Sequence, residues 1–174
     1  IQKPFAHLTI IVQEVEDDRR RVDEFRVAER AESRHSAEQV GIPLRVDTAR
    51  EGRVTDERAP VQVLVPDHAV MRWPNRIGDS AWQGWVQERG LYFLGEKDAK
   101  YVDLVQLEDP FPFNKGPKRG ALVEVRVGKG RWLYLGLGLW RQLPAGTEGA
   151  YQLLANLLSA GKAPGVSRAS RNRI

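Results

Sequence analysis

"ALVEVRVGKGRWLYLGLGLW", residues 121 to 140, alternates apolar side chains with others, turns at glycine and alternates again. Successive residues of an extended chain point to opposite faces. Ala121, Val123, Val125 and Val127 therefore share one side, and Leu122, Glu124 and Arg126 the other. Gly128 to Gly130 turns the chain into a second strand, so the pattern predicts a β-hairpin.

Downstream of the hairpin, "TEGAYQLLANLLSAG" (147 to 161) changes period. Ala150, Leu153, Leu154, Leu157 and Leu158 build a stripe at helical spacing, Thr147 stands where a cap belongs, and Gly161 ends the pattern. Upstream, "VQVLV" (61 to 65) reads as a buried strand closed by Pro66, and "KYVDLVQL" (100 to 107) as another. Between them, "DSAWQGWVQERG" (79 to 90) predicts a short helix capped by Asp79. Trp82, Trp85 and Val86 would face inward, and Gln83, Gln87 and Glu88 outward.

The first forty residues have a different character. "IQKPFAHLTIIVQEVE" is rich in branched side chains from Thr9 to Val15, which favours a short strand or an extended arm. "DDRRRVDEFRVAERAESRHSAEQVG" (17 to 41) then reads as a charged helix with acids at its start and Gly41 as its stop. Its apolar stripe, Val22, Phe25 and Ala28, is thin, which suits an element that packs lightly or bridges to a partner. Three units result: 1–40, an arm and charged helix; 41–162, the strand-and-helix module; and 163–174, a basic flexible tail.

The chain of 174 residues carries 41% hydrophobic and 29% charged residues, the balance of a globular domain. Its formal charge is +4, unevenly spread. Glu14 to Glu38 holds nine acids against six arginines, whereas Lys162, Arg168, Arg171 and Arg173 stand in the last fourteen residues without an acid. Such a tail suits an acidic lipid or protein face, although a solvated end is the plainer reading. Its charges are not interleaved with aromatic residues, so nucleic acid is not an expected partner. The longest apolar run near the start, "LTIIV" (8 to 12), is far too short to span a bilayer. Opening at Ile1 fits a removed export signal or a missing upstream domain.

Chemistry-bearing patterns are few. With no cysteine there is no thiol nucleophile, thiolate metal site or disulfide. Of His7, His35 and His68, only His68 has an acid beside it, Asp67, which is less than a metal site needs. No serine lies in a G-x-S-x-G elbow, and Gly128, Gly130, Gly136 and Gly138 form neither G-x-G-x-x-G nor a G-K-[ST] phosphate loop. Glu88, Glu96, Asp98, Glu108 and Asp109 fall near element ends, where paired-carboxylate chemistry would need two of them across a cleft. Trp73, Trp82, Trp85, Trp132 and Trp140 can stack on sugar rings, anchor an interface or fill a core. No catalytic, metal-binding or cofactor-binding residue is assigned, and no cofactor is expected.

Two long strings bring a family into view. "RVTDERAPVQVLVPDHAVMRWPNRIGDSAWQGWVQERGLYF" and "RGALVEVRVGKGRWLYLGLGLWRQLPAGTEGAYQLLANLLSAG" resemble the C-terminal part of large LmbE-like (PIG-L type) N-acetylglucosaminyl deacetylases of bacteria, from about Gly41 to Gly161. In that family a zinc deacetylase domain precedes a domain similar to class I glutamine amidotransferases. The resemblance implies an α/β fold: a partial amidotransferase or flavodoxin-like sheet with a C-terminal β-hairpin and helix, here preceded by the charged helix. The family's His-Pro-Asp-Asp type zinc motif has no match in this chain, and the amidotransferase cysteine has none either.

A non-catalytic accessory or structural subunit is therefore expected, docking onto a larger protein complex at an extracytoplasmic, periplasmic membrane surface, with a cytoplasmic location left open. Its candidate interaction residues are Phe5, Leu8, Ile10, Ile11 and Val12 in the arm and Arg168, Arg171 and Arg173 in the tail. The alternative is an ancillary carbohydrate-binding module of a deacetylase. Trp82, Trp85, Glu88, Arg89 and Tyr92 would then form a platform for sugar or another partner.

Overall fold

The hairpin forms where its alternation predicts it. A computed structural model of the chain describes residues 8–12, 26–28, 44–46, 52–110, 112, 114–127 and 130–163. Its strands are β1 (Leu8–Val12), β2 (Arg26–Ala28), β3 (Leu44–Val46), β4 (Arg53–Val54), β5 (Val61–Val63), β6 (Gly90–Leu91), β7 (Leu94–Lys97), β8 (Val102–Asp103), β9 (Val105–Leu107), β10 (Leu122–Val127) and β11 (Gly130–Leu135). The helices are α1 (Ala69–Arg72), α2 (Leu139–Gln142) and α3 (Glu148–Ser159), with short 3-10 turns at Asp79–Trp82 and Ala160–Lys162.

β10 and β11 pair from Leu122↔Leu135 to Val127↔Gly130. They form the centre of a five-stranded sheet in the order β2-β1-β11-β10-β8. Three two-stranded ladders, β3–β7, β4–β6 and β5–β9, complete the strand pairings. The mixture of strands and helices agrees with an α/β composition. The flavodoxin-like arrangement does not follow, because every ladder among the described strands is antiparallel, and a doubly wound sheet needs parallel neighbours.

The hairpin's two faces serve two cores. Leu122, Leu133 and Leu135 join the larger cluster with Phe93, Leu104, Met71 from α1, Trp82, and Ala150, Leu153 and Leu157 from α3. Val123, Val125, Trp132 and Tyr134 face the other way and pack with Leu94 and Tyr101. Ala121 precedes the strand and belongs to the larger cluster. Each fully buried leucine contributes about 1.5–3 kcal/mol of burial free energy. α3 runs close to its expected bounds, with Leu154 half-buried and Leu158 exposed at the edge of the stripe.

Several expectations are corrected. In the segment read as a charged helix, the described residues are Arg26–Ala28, and they form β2 against β1. Strand pairing across chain segments has overridden a helical composition there. Residues 79 to 90 are not a helix. A single 3-10 turn ends at Trp82, and the chain then runs extended through Gln83, with left-handed residues at Gly84 (φ 68°) and Gln87 (φ 65°). Gly78, not Asp79, occupies the cap position.

The strand at 61 to 65 ends at Val63 and is half-buried on alternate residues. The strand at 100 to 107 splits at Leu104, whose N–H donates to the Leu122 carbonyl while its own carbonyl accepts from the Leu64 N–H. The chain thereby crosses from β10 to β5. No helix among the described residues is long and apolar enough to cross a membrane.

Candidate functional site

The stretch from Trp82 to Tyr92 is irregular backbone inside a packed domain, so its polar groups need partners that no regular ladder supplies. Buried side chains provide them. Gln142, on α2, is fully buried; its Oε1 accepts from the Val86 N–H at 2.8 Å, and its Nε2 donates to the Val86 carbonyl at 2.9 Å and the Glu88 carbonyl at 3.3 Å. Thr147, at the start of α3, donates from Oγ1 to the Gly84 carbonyl at 3.3 Å and makes no side-chain cap bond to its own helix. Leaving one such buried group unmade costs about 1–3 kcal/mol.

Arg89 is the second organiser. Its Nε donates to the Ala59 carbonyl at 2.9 Å and its Nη1 to the Trp82 carbonyl at 2.5 Å, while the guanidinium lies 5.4 Å from the centre of the Trp85 ring. Burial lowers its pKa to about 10, against the opposing charges of Asp56 and Glu57, so it is cationic at neutral pH. Trp85 donates from Nε1 to the Ala81 carbonyl at 3.0 Å, and its ring lies 5.7 Å from that of Trp82. Glu88 accepts from Arg141 Nε at 2.5 Å. Tyr92, left-handed at φ 60°, offers its carbonyl to the Tyr134 hydroxyl, whose ionisation burial pushes far upward.

Of the five platform residues, Trp82, Trp85 and Arg89 come together facing inward, Glu88 is buried against Arg141, and Tyr92 is half-buried with its carbonyl tied to Tyr134. Trp82 and Trp85 are 5% and 4% exposed, which leaves no ring face for a sugar to stack on. Glu88 and Arg89 are buried as well, whereas Val86, expected in the interior, is exposed. The cause is the missing helix: without a 3.6-residue period, the left-handed turns at Gly84 and Gln87 decide which side chains point in.

A second constellation joins α1 to the sheet. His68 caps α1 by accepting the Val70 N–H on Nδ1 at 3.3 Å, and its Nε2 lies 3.0 Å from Glu124 Oε2. With Nδ1 occupied as an acceptor, Nε2 carries the proton and donates it to Glu124. Arg131 and Arg126 approach the same carboxylate at 3.3 and 3.7 Å. Burial opposes ionisation of Glu124, but the hydrogen bond from His68 and the charges of the two guanidinium groups outweigh it and lower its pKa. Both His68 nitrogens are thus engaged within the fold, in an arrangement that fastens α1 to β10.

Two further clamps escaped sequence reading. Asn156, on the buried face of α3, accepts the Asn75 N–H at 2.8 Å and donates to the carbonyls of Val70 and Asn75 at 2.8 and 2.7 Å. Asp109 is 3% exposed and accepts the N–H groups of Thr55 and Asp56 on Oδ1 at 2.9 and 3.0 Å. The available signal for Asn156 was an amide lying within an apolar helical stripe. Among the described residues no three His, Asp or Glu side chains gather as a metal site.

Of the candidate interaction residues, Leu8, Ile10, Ile11 and Val12 lie in β1, paired with β11 on one side, while β2 pairs with Thr9 to Ile11 on the other. Their backbone is spent within this chain's own sheet. Phe5, Arg168, Arg171 and Arg173 lie outside the described residues. No protein-family model, curated protein or solved structure matches the chain.

Proposed function

We propose that the chain is a non-catalytic accessory module that docks onto a larger protein assembly. The observation that carries this reading is the outer face of α3. The helix buries Ala150, Leu153, Asn156 and Leu157, packs Leu154 half-buried against the same core, and leaves Tyr151 and Leu158 exposed beside that stripe. Tyr151 is 51% and Leu158 36% exposed. An amphipathic helix needs only one apolar face for its own fold. Large apolar side chains left exposed beside it suit a protein partner, and the inward use of Glu88, Arg89, Gln142 and Glu124 as ties within the fold supports a scaffolding role over a chemical one.

The resemblance to the C-terminal part of LmbE-like deacetylases gives the assembly a candidate member, a zinc deacetylase domain of that family, at an extracytoplasmic surface. Cross-linking mass spectrometry on the native assembly tests the reading. Cross-links to another polypeptide are expected from residues beside the stripe, such as Lys162. An assembly whose cross-links leave α3 untouched would remove it.

A further inference from the structure

We infer that the chain associates with a second copy of itself through the free edge of β5, paired antiparallel with its counterpart about a two-fold axis at Gln62. β5 has one strand neighbour, β9, in a two-stranded ladder with the register Val61↔Leu107, Gln62↔Gln106 and Val63↔Val105. Just beyond it, the Leu64 N–H donates to the Leu104 carbonyl. Backbone groups of an antiparallel strand point alternately to its two sides. Those of Gln62 and Leu64 therefore face β9, and those of Val61 and Val63 face away from it. Among the described residues, the outward N–H and C=O groups bond to nothing. Such an open row is a template for another strand, which natural edges blunt with proline, charge or a bulge. β5 has neither proline nor charge at its three positions, and Pro60, just before it, lacks its N–H on the side that faces β9.

The edge is its own complement. With the axis at Gln62, Val61 of each copy stands opposite Val63 of the other as a hydrogen-bonded pair, so the open backbone groups of both copies close on each other. Any extended strand could supply those bonds; the side chains select a second copy. Gln62 is exposed and ends a polar row across the ladder, in which Arg119 Nε donates to Gln106 Oε1 at 2.8 Å and Gln106 Nε2 donates to Gln62 Oε1 at 3.1 Å. The Gln62 Nε2 is the row's last donor, and no described residue accepts from it. Across the axis it meets the Gln62 Oε1 of the second copy, and symmetry makes that bond twice. Val61 and Val63, half-buried at the rim of the core, cover each other on the opposite face. This is the self-complementarity that a two-fold interface requires. Three residues bury far less than the roughly 800 Å² per partner of a standard stable interface, so the dimer is weak and exchanges readily.

Sedimentation velocity on the full chain, from micromolar to near-millimolar concentration, tests this with Gln62→Lys and Gln62→Glu. Each changes one exposed side chain, so circular dichroism and thermal midpoint are expected to stay those of the wild type. The wild type is expected to shift toward a dimer as concentration rises. Each variant alone is expected to associate about tenfold more weakly, because like charges meet at the axis, and an equimolar mixture to recover association, because opposite charges then meet there. A cross-link reads the register independently, since the chain has no cysteine of its own. At the axis the two Cα atoms of residue 62 form a non-hydrogen-bonded pair about 4.5 Å apart, within disulfide reach. Gln62→Cys is expected to give a disulfide-linked dimer on mild oxidation. Gln106→Cys, whose counterparts stand about 14 Å apart across three strand spacings, is expected to give none. A wild type that stays monomeric throughout, a mixture no more associated than its components, or a Gln62→Cys that links no faster than Gln106→Cys overturns the pairing. None of these variants alters α3, so the docking reading stands or falls on its own cross-links.

Discussion

Glu124 shows how a charged residue in an alternating strand is given a task. Its position in β10 turns it toward the larger core, where only 7% of the residue remains exposed. A carboxylate there must be paired. His68, Arg131 and Arg126 do so, and they hold its pKa below the ordinary carboxyl value despite burial. For an acid whose folded pKa is lowered, the linked stability is fully present above the unfolded pKa, about 4.3 for glutamate, and is lost as pH falls through the folded value. Glu124→Gln is therefore expected to cost about 1–3 kcal/mol at neutral pH, the worth of charge-assisted hydrogen bonds. The gap from wild type should shrink as the pH drops below the ordinary carboxyl range. Urea denaturation of both proteins across that range checks it, and a gap that stays constant into strong acid would show that ionised Glu124 contributes nothing.

Elements were legible to the degree that one period ran unbroken through them. The β10–β11 hairpin and α3 carry clean alternation and a clean helical stripe, and both sit where the pattern puts them. Residues 79 to 90 carried the same apparent spacing in Trp82, Trp85 and Val86, yet Gly84 interrupts it. The side chains that hold the resulting irregular chain, Gln142 and Thr147, are more than fifty residues away in sequence. A local pattern has no access to such partners. Gly149 makes a similar point on α3. Glycine is a poor helix former, so alanine in its place would ordinarily gain about 1 kcal/mol. Here a Cβ would lie 1.9 Å from the Ala81 carbonyl oxygen, where α3 seats on the 3-10 turn. Gly149→Ala is expected instead to destabilise by about 1–3 kcal/mol, the cost of overpacking, as read by the shift in a denaturation midpoint. A stabilised variant would mean that this contact is looser than it stands.

At the scale of the molecule, the feature furthest from the sequence is the place of β1. An apolar run near the start reads equally as a free arm or as a strand, because nothing in "LTIIV" names its partner. The fold supplies one more than a hundred residues later: Leu8↔Leu135 through Val12↔Arg131 along β11, with β2 closing part of the other side. This makes β1 an inner strand, and it makes the sheet depend on a contact of very long sequence separation. Such a contact forms only after a large loop-closure entropy has been met. An arm that docks elsewhere and an inner strand respond differently to proline. In an arm, proline at position 10 would leave the stability of the domain unchanged. In an inner strand it removes a ladder donor and distorts the pairing of Ile10 with both Leu133 and Val27. Ile10→Pro is expected to cost on the order of 3 kcal/mol, by analogy with its effect in regular structure, and to leave the edge of β11 open to association between molecules. Thermal unfolding together with light scattering separates the two cases. An unchanged midpoint and a monodisperse solution would return residues 8 to 12 to the role of a free arm and reopen them as a docking element.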